Sequence, residues 1–199
     1  MRLKFLFPIP WLDQKNIMHA HSHFAFSAWV SQAMMIFLIM ALTGVKANQV
    51  LSKKYQFILS ANWTIAIGML ISFSTTGYSM LSIVLSFLSI LVSYLFCFHL
   101  SNDLKSAQLP VAIVLLTRAA LIFNVASSFG TYFLAYLKAS HQLDPLKQLG
   151  SVYFYLHFQY IGWFFFGCLA LLIHWLYKQT GNMLISRRFA LFYVLTVVP

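Results

Sequence analysis

The chain has 199 residues, of which 61% are hydrophobic and only 8% charged. A soluble domain carries about 25% charged residues; with no Glu and only Asp13, Asp103 and Asp144, a water-facing surface cannot be assembled. The net charge of +10 sits in short segments between apolar runs, a pattern of headgroup contact and topology control rather than of nucleic-acid binding.

In chain order, Met1–Gln14 hold only a short apolar stretch broken by Pro8 and Pro10, which does not read as a cleavable signal peptide. Apolar runs follow at roughly 17–44, 55–75, 78–101, 109–138 and 150–177, and a sixth, incomplete run occupies 187–199. A membrane span needs about 20 apolar residues at 1.5 Å rise each, so the first five runs suffice. The connections carry breakers or charges and are short, as between Ser74 and Tyr78, which favours antiparallel neighbours. Runs of this length exclude β-barrel strands, which need only about 10 residues. The expected fold is all-α: one polytopic transmembrane helical bundle over 1–199, about six spans with the last incomplete. The apolar run reaching Pro199 reads as a piece of a longer membrane protein or a truncated reading frame. Cys97 and Cys168 both lie inside apolar runs and predict reduced, packed thiols.

Basic residues outside the runs set the expected orientation. Arg2, Lys4, Lys15, Lys138 and Lys147 fall on one side; Lys46, Lys53, Lys54, Lys105, Lys178, Arg187 and Arg188 fall on the other. The bias places the amino terminus outside, which for a bacterial inner membrane is the periplasmic side.

The first and fifth runs share a motif. His23-Phe24-Ala25-Phe26-Ser27-Ala28-Trp29 and His157-Phe158-Gln159-Tyr160-Ile161-Gly162-Trp163 both read His-Phe-x-aromatic-x-small-Trp. Both runs are odd-numbered, so His23 and His157 are expected at similar depth near the outer surface. His19, His21 and His141 fall on that side, His99 and His174 on the other. His19 and His23 are four apart and share a helical face, while His21 points away. Ionisable residues inside spans point to function by default, and imidazole suits iron, copper and zinc. The ordinary alternative is an interfacial histidine bonded to water, headgroups or a neighbouring helix; His99 and His174, at helix ends, fit it best. Arg118, well inside the fourth run, could snorkel, bond Asn62, or pair with an anionic cofactor group. Asn124 lies deeper in the same run. Trp11, Trp29, Trp63, Trp163 and Trp175 suit interfacial belts, and Trp29 and Trp163 could also pack beside a bound ring. Phosphate loops, Cys-x-x-Cys-His haem attachment and zinc cysteine pairs are absent, and a His-Glu-x-x-His motif cannot exist without Glu.

His19-Ala20-His21-Ser22-His23-Phe24-Ala25-Phe26-Ser27-Ala28-Trp29 resembles the His-x-His-x-x-x-x-Gly-Trp helix opening of small relatives of the haem-copper oxidase subunit I superfamily. The resemblance covers about two of six spans. It implies an axial haem ligand near the outer end of a helix, a role that His19, His21 or His23 matches. The chain has Ala28 where Gly is expected and lacks the His-His pair of a catalytic haem-copper centre. It therefore points to haem or metal binding, sensing or electron transfer rather than oxygen or nitric oxide reduction. The expected site holds haem or copper between spans one and five through His23 and His157, with His19 in reserve and Trp29, Trp163 and Arg118 nearby. Expected partners are the lipid bilayer and other membrane subunits. The competing reading is a cofactor-free transporter or accessory subunit whose His and Arg residues line a polar pathway.

Overall fold

The computed structural model describes residues 13–45, 48–140, 144–182 and 185–197, and among them every regular element is helical. His141, Trp11, Arg2, Lys4 and Lys46 lie outside the described residues. The helices are α1 Gln14–Thr43, α2 Lys53–Thr76, α3 Met80–Ser106, α4 Val111–Ala139, α5 Pro145–Thr180 and α6 Arg187–Leu195. The first five are long and apolar enough to cross a membrane. The shortest of them, α2, has 24 residues, about 36 Å at 1.5 Å per residue, against a hydrocarbon core of about 30 Å. The fold class is all-α, a bundle of helices with the profile of a multi-pass membrane protein. The described part of the sixth apolar run is the nine-residue α6 and the turn after it.

Two of the three acidic residues start helices. Asp13 caps α1, its carboxylate accepting from the Asn16 N–H at 2.9 Å. Asp144 caps α5, accepting from the Leu146 N–H at 3.0 Å, with Pro145 supplying the first turn. Thus the two helices that carry the repeated motif both open on an Asp cap.

The described chain packs as two compact units. The first comprises α1 up to Ile36 together with Gln49–Phe96; the second comprises the rest of α1 and everything from Cys97 onward. In the first unit, α1 lies on α2 through a buried cluster of Ala20, Ala28, Ala66, Met69 and Phe73, flanked by Phe24, Ile65, Leu70 and Leu85. In lipid, helix association rests on close packing rather than on hydrophobic exclusion, so the three alanines matter by letting the backbones approach. In the second unit, α4 is the most enclosed of the five long helices, with 61% of its apolar window buried. It contacts both α5 and α6. Its buried residues include the small Ala112, Ala119, Ala120, Ser127 and Ser128, the same packing principle on a larger contact.

Candidate functional site

Both copies of the repeated motif fold as π-helix. In α1 the π segment is Ala25–Val30, two residues beyond His23; in α5 it is Phe158–Phe164, directly after His157. The wide turns show at each exit, where the Ser31 N–H reaches Phe26 O and the Phe165 N–H reaches Tyr160 O, both five residues back. Such inserted turns recur at functional sites. They also leave a main-chain carbonyl without its helical donor where α geometry resumes, and in lipid that carbonyl must be satisfied by the protein.

In the first unit Asn62 on α2 does this. Its Nδ2 donates to Ser27 O at 2.9 Å and to Gln32 Oε1 at 2.7 Å, while Gln32 Nε2 donates back to Leu59 O at 3.1 Å. Both Asn62 Nδ2 protons are thereby committed to α1. Ser27 also donates its hydroxyl to His23 O at 2.6 Å, tying the motif histidine to the π segment.

Ahead of that segment the two histidines gather at one end of the unit. The His19 and His23 rings both face Tyr78, with centroids at 4.8 and 6.4 Å, so they share a face of α1 as their spacing predicts. His23 also stacks on Phe73 of α2 at 4.2 Å and 8°. His21 is exposed. Tyr78 is presented by the α2–α3 turn, which Gly77 makes possible: its φ of 63° suits glycine, and an added Cβ would lie 2.5 Å from Asn16 Oδ1 on α1. Beneath the turn sits a hydroxyl cluster. Ser82 donates to Gly77 O at 2.6 Å and lies 2.9 Å from both Ser72 and Ser79, and Thr76 donates to Ser79 at 2.9 Å. Partial desolvation raises the phenol of Tyr78, which is 46% exposed, above its ordinary pKa. The product is a pair of imidazoles on α1 facing a phenol on a hydrogen-bonded turn.

The second unit treats its motif differently. His157 Nε2 lies 2.9 Å from Val197 O, just beyond α6, and its ring meets Phe158 edge-on at 5.2 Å. Gln159, within the π segment, donates from Nε2 to Asn124 Oδ1 at 3.0 Å and to Ser127 Oγ at 2.7 Å. Each π segment is therefore gripped by an asparagine of the adjoining helix, Asn62 in one unit and Asn124 in the other. Gly162 lets α5 press against Phe123 of α4: a Cβ there would overlap the Phe123 Cβ and come within 2.9 Å of Cγ. No family model, curated protein or solved structure matches this chain.

Arg118 is exposed on α4. Trp29 is 71% exposed, whereas Trp163 is wholly buried. His174 is buried near the end of α5. Among the described residues no group of three or more His, Cys, Asp or Glu is placed to hold a metal ion. A closed four-ligand zinc site is thus not assembled among them. The residues that sequence reasoning missed are Tyr78, Phe73 and the Ser72/Ser79/Ser82 cluster. Their only sequence trace is the Ser/Thr/Gly/Tyr-rich break between the second and third apolar runs.

Proposed function

We propose that this is an integral protein of the bacterial inner membrane, amino terminus outside, that binds haem or copper through outer-side imidazoles. Its role is haem or metal binding or electron transfer. The observation that carries the reading is the pairing of His19 and His23 on one face of α1, against Tyr78 and immediately before a π segment. Imidazole is an axial ligand for haem and a good ligand for copper. The second copy of the motif offers His157 as a further candidate imidazole in the second unit. With Nε2 on Val197 O, it would ligate through Nδ1 or release that bond. The expected spectrum of the full-length protein, expressed with haem supplied, has a Soret band that shifts on reduction and that His23→Ala alters while His174→Ala does not. Reporter fusions after Lys53 and Lys178 should read cytoplasmic and one after Lys147 external.

A cofactor-free transporter or accessory subunit is the second reading. The observation favouring it is that His157 joins α5 to the segment after α6 by a hydrogen bond, an ordinary structural use of histidine. A folded, full-length protein without chromophore or bound copper would select it.

A further inference from the structure

We infer that Arg118 and the groove running along α4 from it form a binding site for an anionic phospholipid. The groove encloses about 370 Å³ within the second unit and is lined by Ser101 of α3 and by Arg118, Ile122, Val125 and Phe129 of α4, among others. Its composition is polar at one end and apolar beyond: Arg118 and Ser101 mark the head, and Ile122, Val125 and Phe129 follow at helical spacing along the same face.

Arg118 engages no hydrogen bond or ion pair among the described residues, and Asp103, on the same end of α3, does not line the groove. A permanently charged guanidinium in a span must find water or an anion. Its depth favours a headgroup. Arg118 is seven residues, about 10 Å, from the start of α4. With 29 residues, α4 is about 43 Å long and overhangs a 30 Å core by roughly 6 Å at each end when centred. Arg118 then lies a few ångströms below the boundary, and its Cα–Cβ bond tilts toward the helix amino terminus and hence toward that boundary. A phosphate diester matches the planar guanidinium fork, and one acyl chain continues inward over about 16 Å from Arg118 to Phe129. Charge complementarity selects the occupant: the chain carries +10 and has only three acidic residues, so the lipid is the ready source of an anion. This inference does not depend on the haem or copper reading.

The test is native mass spectrometry of the full-length protein in neutral detergent, titrated with phosphatidylglycerol or phosphatidylcholine of matched chains. Wild type should retain phosphatidylglycerol at least fivefold better, Arg118→Gln should erase the preference, and Arg118→Lys should keep part of it. Val125→Trp or Ile122→Trp, which fill the groove, should lower retention of the anionic lipid at unchanged helical circular dichroism. Equal retention of the two lipids by wild type, an undiminished preference in Arg118→Gln, or displacement of the lipid by glycerophosphate as effectively as by phosphatidylglycerol would overturn the assignment.

Discussion

Replacing Gly162 by alanine tests whether the α5 π segment is packed as described. A methyl carbon at Gly162 would overlap the Phe123 Cβ and lie 2.9 Å from Cγ, where ordinary contact begins near 3.4 Å. Relief therefore requires about 0.5 Å of separation or more between α4 and α5 at this point. Phe123 cannot simply swing aside, because it is buried and its ring packs on Phe158 and Phe166, with centroids at 5.6 and 5.7 Å. Overpacking of this kind costs about 1–3 kcal/mol. Gly150→Ala is the matched control: it is in the same helix, with nothing within 4 Å of the new methyl. Alanine there gains up to about 1 kcal/mol of helix propensity. Because the propensity gain is common to both helical positions, the two variants should differ by the overpacking cost of about 1–3 kcal/mol in unfolding free energy, measured by titrating SDS into detergent micelles and following helical circular dichroism. A Gly162→Ala protein as stable as Gly150→Ala would refute the close approach of α5 to Phe123.

Asn62→Ala should cost about 1–3 kcal/mol in the same unfolding assay, because it strands Ser27 O and Gln32 Oε1 in a buried setting; a neutral result would show that neither bond contributes. Partial desolvation raises the Tyr78 pKa above its ordinary value of about 10. The folded state therefore holds the phenolic proton more tightly, and this contribution is complete below about pH 10 and lost as pH rises through the folded value. Above pH 10 the wild type should lose more stability than Tyr78→Phe, and equal alkaline losses would show that folding does not desolvate the Tyr78 phenol.

The long apolar runs were sufficient to reveal five spans because lipid forces a backbone to satisfy its own hydrogen bonds, and helices of about 20 residues do so. The ends agree within a few residues; α5 starts at Pro145 rather than near 150 because Asp144 and Pro145 cap it ahead of the apolar run. The π turns left no periodic trace. Apolar side chains surround much of each lipid-facing helix, so an inserted residue does not break an amphipathic stripe. Their one visible mark was the repeated His-Phe-x-aromatic-x-small-Trp motif, which falls on both of them. What the repeat encodes is local backbone, not neighbours. Ala28 and Gly162 are both buried at helix contacts, yet Trp29 is exposed while Trp163 is enclosed, in a helix that meets both α4 and α6. Asn62 and Asn124 stood out as rare polar residues, but their partners depend on the register between helices, which no single-helix pattern carries. Arg118 is exposed on α4.

The most direct measurement of the central claim is the amount of haem and copper bound per chain in purified full-length protein, compared across wild type, His23→Ala, His19→Ala and His21→Ala. The account predicts stoichiometric haem or copper in wild type, a loss of most of it in His23→Ala, a smaller loss in His19→Ala and the smallest change in His21→Ala, whose side chain is exposed on α1. Wild-type protein that is folded yet binds neither, or binding that survives His23→Ala unchanged, would contradict it.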